Sequence, residues 1–220
     1  MTFARQLTLE LEGQVTLTKE SFFLSPSNQK AYAFLMQWPL WPKNRAVFLQ
    51  GEKGSGKTHL THVWAKEAES FFLDINALHQ LDLVPFIQKN PHLVLENVEK
   101  LADQQVLFHL LNVVKEQEGA LLLTSDMSPA LLPFELPDLS SRLKSMPLIS
   151  LENPDDTLIE AILYKRFADL QMKPAKDVVP YILKYCERSF SALHKLIFLL
   201  DRASLTHHRR LTTVLVRDCL

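Results

Sequence analysis

The segment 51–58 reads GEKGSGKT and matches the phosphate-binding pattern G-x-x-x-x-G-K-[ST] at every fixed position. Its glycines allow the backbone to turn several amide N–H groups toward one phosphate, and a helix that follows adds its positive end. The lysine would reach the β- and γ-phosphates, and the threonine hydroxyl would bind Mg²⁺. The alternative is a glycine turn that binds nothing. The predicted nucleotide contacts here are Gly51, Glu52, Lys53, Gly54, Ser55, Gly56, Lys57, Thr58 and His59.

A nucleotide-bound Mg²⁺ also needs a carboxylate, and Glu96 is the best candidate because it directly follows the apolar run 93–95. Together with Thr58 it forms the predicted metal site. The next residue is Asn97, at a position where many ATPases have a glutamate that activates water. An amide cannot accept a proton as a general base, so we expect nucleotide binding but slow hydrolysis. The alternative for Glu96 is an ordinary solvated strand end.

The elements predicted around these residues form an α/β fold. Apolar runs predict strands at 46–49, 71–75, 93–95 and 120–124, and helical periodicity predicts helices at 58–70 and 103–118. Strands that alternate with helices favour a parallel sheet covered on both faces. One strand, 71–75, intervenes in the chain between the phosphate loop and Glu96. The loop and the acidic residue are therefore predicted to follow two different strands of one sheet.

The chain after residue 151 has a different pattern, because no further strand is visible. Helices are predicted at 157–170, 177–186, 190–205 and 212–220. We therefore predict a boundary near residue 152. The predicted organisation is a tail at 1–20, an α/β nucleotide-binding domain at 21–152 and a small all-helical lid domain at 153–220.

The overall composition excludes several classes of protein. The 220 residues carry 24 Lys and Arg against 25 Asp and Glu, which does not suit a domain that grips nucleic acid by itself. A hydrophobic share of 47% excludes disordered and collagen-like chains. Cys186 and Cys219 have no metal or redox spacing, which favours a reducing compartment. With no secretory signal or long apolar run in the sequence, we expect a cytoplasmic protein that does not enter the membrane.

Several segments, in this order, resemble the AAA+ ATPases of the DnaA initiator branch, and within that branch the regulators that promote inactivation of the initiator. The resemblance extends over nearly the whole chain. The matching segments are FLSPSN at 23–28, GEKGSGKTHL at 51–60, LTSD at 123–126, LPDLSSRL at 136–143 and LDRASLTHHRRLT at 200–212.

The resemblance implies an AAA+ domain with a central parallel sheet, followed by a helical lid, and it implies roles for individual residues. Leu24 and Asn28 would lie against adenine and ribose, and Asp126 would stand near the γ-phosphate as a sensor. Arg142 would be the arginine finger that one subunit inserts into the site of its neighbour, since a guanidinium can bridge phosphate oxygens. Without the resemblance, a solvated loop residue would be the preferred interpretation of Arg142.

One position departs from the family pattern. The second sensor is an arginine near the start of the third lid helix, and Ser191 occupies that position here. A hydroxyl cannot replace a guanidinium clamp. Arg188 and Lys195 lie near it in sequence and are the candidates to compensate. This departure leaves open which nucleotide the chain prefers.

The amino-terminal segment Gln6-Leu7-Thr8-Leu9-Glu10-Leu11 resembles the peptide by which these regulators dock in the DNA polymerase sliding clamp. An extended peptide could place its leucines on one side and anchor through the glutamine. Glu10 stands where the family usually has proline. An ordinary alternating strand is the alternative. The predicted clamp contacts are Gln6, Leu7, Leu9 and Leu11.

By resemblance, we expect a regulator that binds ADP or ATP with Mg²⁺, docks on the sliding clamp and stimulates ATP hydrolysis on DnaA. Self-association stays open, and sequence-specific DNA binding is not expected because no helix-turn-helix domain follows within the chain. The alternatives are a self-contained P-loop ATPase, a small kinase, or a recruiter of another replication protein. His59 and His62 have the spacing of a metal pair, but without a third ligand they are better interpreted as helix-surface histidines.

Overall fold

A five-stranded parallel sheet lies at the centre of the structure, a computed structural model that describes residues 17–42, 45–207 and 211–220. The strands run in the order β2-β3-β4-β1-β5, and this confirms the predicted α/β fold with a parallel sheet. Their bounds are β1 Ala46–Gly51, β2 Phe71–Leu73, β3 His92–Leu95, β4 Ala120–Ser125 and β5 Leu148–Leu151.

Helices cover both faces of this sheet, which explains why its central strands are apolar at successive positions. On one face, Phe48 and Leu121 pack with buried side chains of α3, α4 and α5. On the other face, Val47 and Leu122 pack with α1, α2 and a tryptophan cluster. These helices are α1 Gln29–Leu35, α2 Lys57–Ala68, α3 Leu83–Lys89, α4 Gln104–Glu116 and α5 Pro137–Ser145, with short 3₁₀ turns at Leu78–Gln80 and Val98–Lys100.

The described part of the chain after β5 is helical and has a separate apolar core, built from side chains such as Leu163, Ile182 and Leu200. This agrees with the helical lid predicted from the sequence. Asp155 begins the first lid helix, because its carboxylate accepts the Leu158 N–H at 2.8 Å. The lid helices are α6 Asp156–Asp169, α7 Val178–Tyr185, α8 Phe190–His207 and α9 Thr213–Cys219.

The order of the strands determines which residues meet at the site. β4 lies between β1 and β3, so that Gln50 pairs with Ser125 and Leu95 pairs with Leu123. Because the strands are parallel, their carboxyl ends lie at one edge of the sheet. The phosphate loop after β1, Glu96 after β3 and Asp126 after β4 therefore share that edge. Among the described helices, none has the length and apolar character needed to cross a membrane.

Candidate functional site

The phosphate loop joins the end of β1 to the start of α2. Gly54 and Gly56 have φ angles of 86° and 93°, in the left-handed region where glycine is favoured. The loop is tightly packed, since a Cβ atom on Gly51 would lie 2.5 Å from Ser55 Oγ. That Oγ is buried and has no hydrogen-bond partner within the described residues, so it is a polar atom that a ligand can satisfy. The loop thus fits an anion bound through the backbone.

Lys57 is folded back over this loop and is only 9% exposed. Its Nζ donates hydrogen bonds to the carbonyls of Gly51 at 2.6 Å and Glu52 at 3.2 Å. Burial lowers the pKa of Lys57, whereas the carboxylates of Asp126, Glu99, Glu96 and Glu52 act in the opposite direction. The lysine therefore lies among the acidic groups gathered at the strand ends. A nucleotide phosphate would compete with the two carbonyls for its ammonium group.

Glu96 is held by the helix that follows the loop. Fully buried Thr61 lies 2.9 Å through its Oγ1 from both Glu96 Oε1 and the Thr58 carbonyl, and its one hydroxyl proton is donated to either. The Thr58 side chain is exposed at the start of the same helix. A hydroxyl and a carboxylate are oxygen ligands of the kind that Mg²⁺ takes together with nucleotide phosphates. Within the described ranges, no group of three His, Cys, Asp or Glu residues could hold a metal by itself.

Two further residues, Asn97 and Glu99, lie close to Glu96 at this edge of the sheet. Asn97 has a left-handed backbone with φ 57°, and its N–H donates to Thr124 Oγ1 at 3.2 Å. Glu99 was not predicted from the sequence as a site residue, although its charge acts on Lys57 and its buried Oε2 lacks a partner among the residues described. Its position three residues after Glu96, in the adjoining 3₁₀ turn, is the sequence signal that could have indicated it.

A cleft of about 330 Å³ lies between the phosphate loop and the lid. Its volume is within the range of small-molecule sites. Five of the predicted nucleotide contacts line it: Asn28, Gly54, Ser55, Gly56 and His59. The other predicted contacts are not in its described lining, namely Leu24, Gly51, Glu52, Lys53, Lys57, Thr58 and Asp126. Leu24 is 48% exposed, and the remaining six lie on the loop, at the start of α2 or at the end of β4.

Part of the cleft lining is aromatic, and this was not predicted from the sequence. Phe22 and Phe23 line it, and the Phe22 ring stacks on Tyr32 with a centroid distance of 5.9 Å. Asn28 supports this wall, because its Nδ2 donates to the Phe23 carbonyl at 2.9 Å and its Oδ1 accepts the Ser25 N–H at 3.0 Å. The Asn28 amide therefore holds a turn of the chain, and the aromatic rings supply the apolar surface that suits a purine base.

His59 connects the segment before the cleft to the phosphate-loop helix. Its Nε2 lies 2.8 Å from the Thr18 carbonyl and 3.2 Å from Ser21 Oγ. Burial lowers the pKa of His59, and the hydrogen bond to Thr18 acts in the opposite direction. His62 instead packs on the Phe72 ring, with centroids 4.4 Å apart. The two histidines thus have separate neighbours.

The lid contacts the phosphate loop at two points. Glu52 Oε2 accepts the Phe190 N–H at the start of α8 at a distance of 3.2 Å. His194 lies over Gly54, since a Cβ atom on Gly54 would be 2.5 Å from His194 Cε1. Ser191, which occupies the second-sensor position, is not in the described lining of the cleft, and its Oγ lies 3.3 Å from Ser189 Oγ.

Arg142 lies on α5, outside the lining of the cleft. It is half-buried against α4, where its guanidinium donates to the Asn112 side-chain oxygen and lies 4.6 Å from the centroid of the Phe108 ring. The side chain is therefore fixed on a surface formed by two helices. The predicted clamp contacts Gln6, Leu7, Leu9 and Leu11 lie outside the described residues.

The chain is similar to known proteins in its lid and in its overall fold. Residues 155–220 match the family described as Hda, lid domain. Domain III of the replication initiation protein DnaA from Thermotoga maritima is 21% identical with a TM-score of 0.70, and the match covers 93% of this chain and 95% of that one. The AMPPCP-bound DnaA from Aquifex aeolicus is 22% identical with a TM-score of 0.66, over 84% of this chain and 64% of that one.

A replication initiator DnaA bound to AMPPCP and single-stranded DNA is similar to the same extent. It is 20% identical with a TM-score of 0.69, and the match covers 88% of this chain and 68% of that one. At these identities the likeness establishes the fold, and the lid match extends over residues 155–220, less than half of the chain. Residues 155–220 therefore match the Hda lid-domain family, and the chain as a whole has the fold of DnaA domain III.

Proposed function

We propose that this chain is a regulator of replication initiation that binds an adenine nucleotide and supplies Arg142 to the ATP site of DnaA, where hydrolysis is stimulated. In this proposal residues 6–11 dock the chain on the DNA polymerase sliding clamp. The observation that carries the proposal is the placement of Arg142, fixed on the surface of α4 and α5 and absent from the described lining of its own cleft. An arginine so placed would exchange its contact with Asn112 for the phosphate oxygens of a neighbouring molecule.

Nucleotide binding is supported by two kinds of surface in the cleft. The rings of Phe22 and Phe23 supply an apolar surface for a base, and the amides from Gly54 to Gly56 face the same space. Solved relatives of this fold are bound to AMPPCP. Thr58 and Glu96 would hold Mg²⁺, which when bound neutralises charge on the phosphate oxygens.

The chain's own site lacks one component of an efficient ATPase. Asn97, directly after Glu96, presents an amide that cannot take a proton from water. The bound nucleotide then serves mainly to hold the lid and the α/β part together. The bond is broken in the partner, where the planar Arg142 guanidinium would bridge phosphate oxygens and stabilise the charge that develops on them.

Hydrolysis of DnaA-bound ATP, measured with clamp loaded on DNA, tests the role of Arg142. We expect Arg142→Ala to lower the stimulation by at least ~100-fold, since arginine fingers contribute about 10³–10⁵ in rate. Lys144→Ala is the matched control, because Lys144 is an exposed cation on the same helix. If Arg142→Ala still binds the clamp and stimulates hydrolysis normally, the assignment is wrong.

Clamp docking needs a separate test, because the tail lies outside the described residues. A double substitution of Gln6→Ala and Leu7→Ala removes the proposed anchor and one apolar contact. We expect the variant to lose affinity for the purified clamp while its affinity for ADP is unchanged. Unchanged clamp affinity would eliminate the tail from the proposal and leave the nucleotide site in place.

A self-contained ATPase is the second candidate, and Glu99 is the observation that favours it. Among the residues that the structure describes, its buried Oε2 has no hydrogen-bond partner. Its charge acts to raise the pKa of Lys57, and Glu99 thus offers a carboxylate near the phosphate loop. Turnover of ATP by the purified chain alone separates the two candidates. The regulator proposal predicts slow turnover that Glu99→Gln does not change, whereas appreciable turnover abolished by Glu99→Gln would favour the second.

A further inference from the structure

One face of α6 lines the cleft and changes character along its length. Its amino-terminal half contributes the apolar side chains of Ala161 and Ile162, and its carboxyl-terminal half contributes Lys165, Arg166 and Asp169. An apolar half followed by a charged half suits a ligand that has a base at one end and phosphates at the other. The lid thus brings charge as well as apolar surface to the cleft.

Arg166 lies at the part of the lid that contacts the phosphate loop. Burial lowers the pKa of His194, and the charge of Arg166 lowers it further while Glu52 acts in the opposite direction. His194 itself rests on Gly54. Arg166, His194 and Gly54 line the same cleft, so the guanidinium is close to the loop whose amides are available to a phosphate. Within the described residues, the Arg166 side chain forms no hydrogen bond or ion pair.

The other cations of this region differ from Arg166 in their neighbours. Lys165 also lines the cleft, but its charge acts on the pKa of His59 and not on that of His194. Arg188 forms a two-pronged contact with Asp156, at 2.9 and 3.3 Å. Lys195 follows His194 in α8 but does not line the cleft in the described part of the chain. Neither residue therefore compensates for Ser191 in this structure, and Arg166 remains as a guanidinium in the lining.

We propose that Arg166 binds the phosphates of the nucleotide from the lid side and gives the cleft its preference for a nucleoside diphosphate or triphosphate over a nucleoside. The inference rests on the proposed nucleotide binding and identifies the lid residue that contacts the phosphates. The planar guanidinium offers several N–H donors to phosphate oxygens, a geometry that neither Ser191 nor a lysine reproduces. The contact of His194 with Gly54 holds α8 against the phosphate loop.

Calorimetry with the full chain and Mg²⁺ tests this inference, with ADP titrated directly and adenosine measured by competition. We expect Arg166→Gln to weaken ADP by at least ~10-fold, the loss typical of a charge-assisted hydrogen bond, and to change adenosine affinity by less than about twofold. Lys195→Gln, on the neighbouring helix, should change neither affinity. Arg166→Lys keeps the charge and should retain part of the ADP affinity.

Each outcome has a distinct meaning. A loss for ADP alone in Arg166→Gln supports the inference. Equal losses for ADP and adenosine overturn it, because Arg166 would then not distinguish the phosphates, and unchanged ADP affinity overturns it as well. If the wild-type chain binds neither ligand, the proposed nucleotide binding is wrong, and this inference is wrong with it. The titration of the wild-type chain shows this before any variant is made.

Discussion

Substitution of Gly54 by alanine tests the contact between the lid and the phosphate loop. The methyl group would lie 2.5 Å from His194 Cε1 and 3.0 Å from His194 Nδ1, in a backbone with φ 86°. A left-handed conformation costs a non-glycine residue about 1–2 kcal/mol, and crowding a packed contact costs a further 1–3 kcal/mol, roughly. Gly56→Ala is the matched control, because its φ of 93° imposes similar strain while its methyl group would only touch Phe22 at 3.6 Å.

Urea unfolding of the nucleotide-free chain, followed by far-ultraviolet circular dichroism, measures the free energy of unfolding of each variant. We expect Gly54→Ala to lose more than Gly56→Ala by about 1–3 kcal/mol, the crowding part of the cost. In a His194→Ala background this excess should disappear, because the side chain that the methyl group meets has been removed. Equal losses for the two glycine variants, unaffected by His194→Ala, would show that the lid does not rest on the loop at this point.

Three other substitutions test hydrogen bonds of the site. Thr61→Val should lower the free energy of unfolding by about 2 kcal/mol in chemical denaturation, because it removes the donor 2.9 Å from the Glu96 carboxylate, whereas Thr58→Val, at an exposed hydroxyl, should cost less than ~0.5 kcal/mol. Burial lowers the pKa of His59 from 6.5, so the stability that its neutral form contributes is fully present above pH 6.5 and is lost as the pH falls below it; His59→Asn should reduce the loss of stability measured on acidification below pH 6.5. Asp155→Ala should lower the melting temperature through a loss of about 1–2 kcal/mol, since its carboxylate accepts two backbone N–H groups at 2.8 and 2.9 Å, and an unchanged melting temperature would contradict that role.

The parts of the fold that follow local rules could be predicted from the sequence. The phosphate loop has a fixed pattern within eight residues, and the strands β1, β3 and β4 are apolar because both faces are covered. β5 was not predicted, since only alternate residues of this four-residue edge strand are buried and its apolar run is short. α5 was likewise not identified as a helix, although Arg142 on it was singled out by resemblance.

The walls of the cleft and the surroundings of Arg142 could not be predicted, because they depend on contacts between residues far apart in the chain. His194 meets Gly54, and Arg142 meets Phe108 and Asn112, only after the sheet and the lid have formed. No periodicity or motif encodes such pairs. The sequence did identify Ser191 as a departure, but it offered Arg188 and Lys195 as replacements, whereas the structure places Arg166 in the cleft.

The position of β1 inside the sheet has a consequence for how the protein is made. Val47 pairs with Leu122 of β4 on one side of β1, and Phe48 pairs with Leu148 of β5 on the other side. During synthesis the ribosome therefore releases β1 long before either partner strand exists. Contacts this distant in sequence slow folding, and they leave an apolar strand unpaired in the meantime. The nascent chain cannot complete its central sheet until Leu151 has left the ribosome, and early chaperone contact is most useful to this segment.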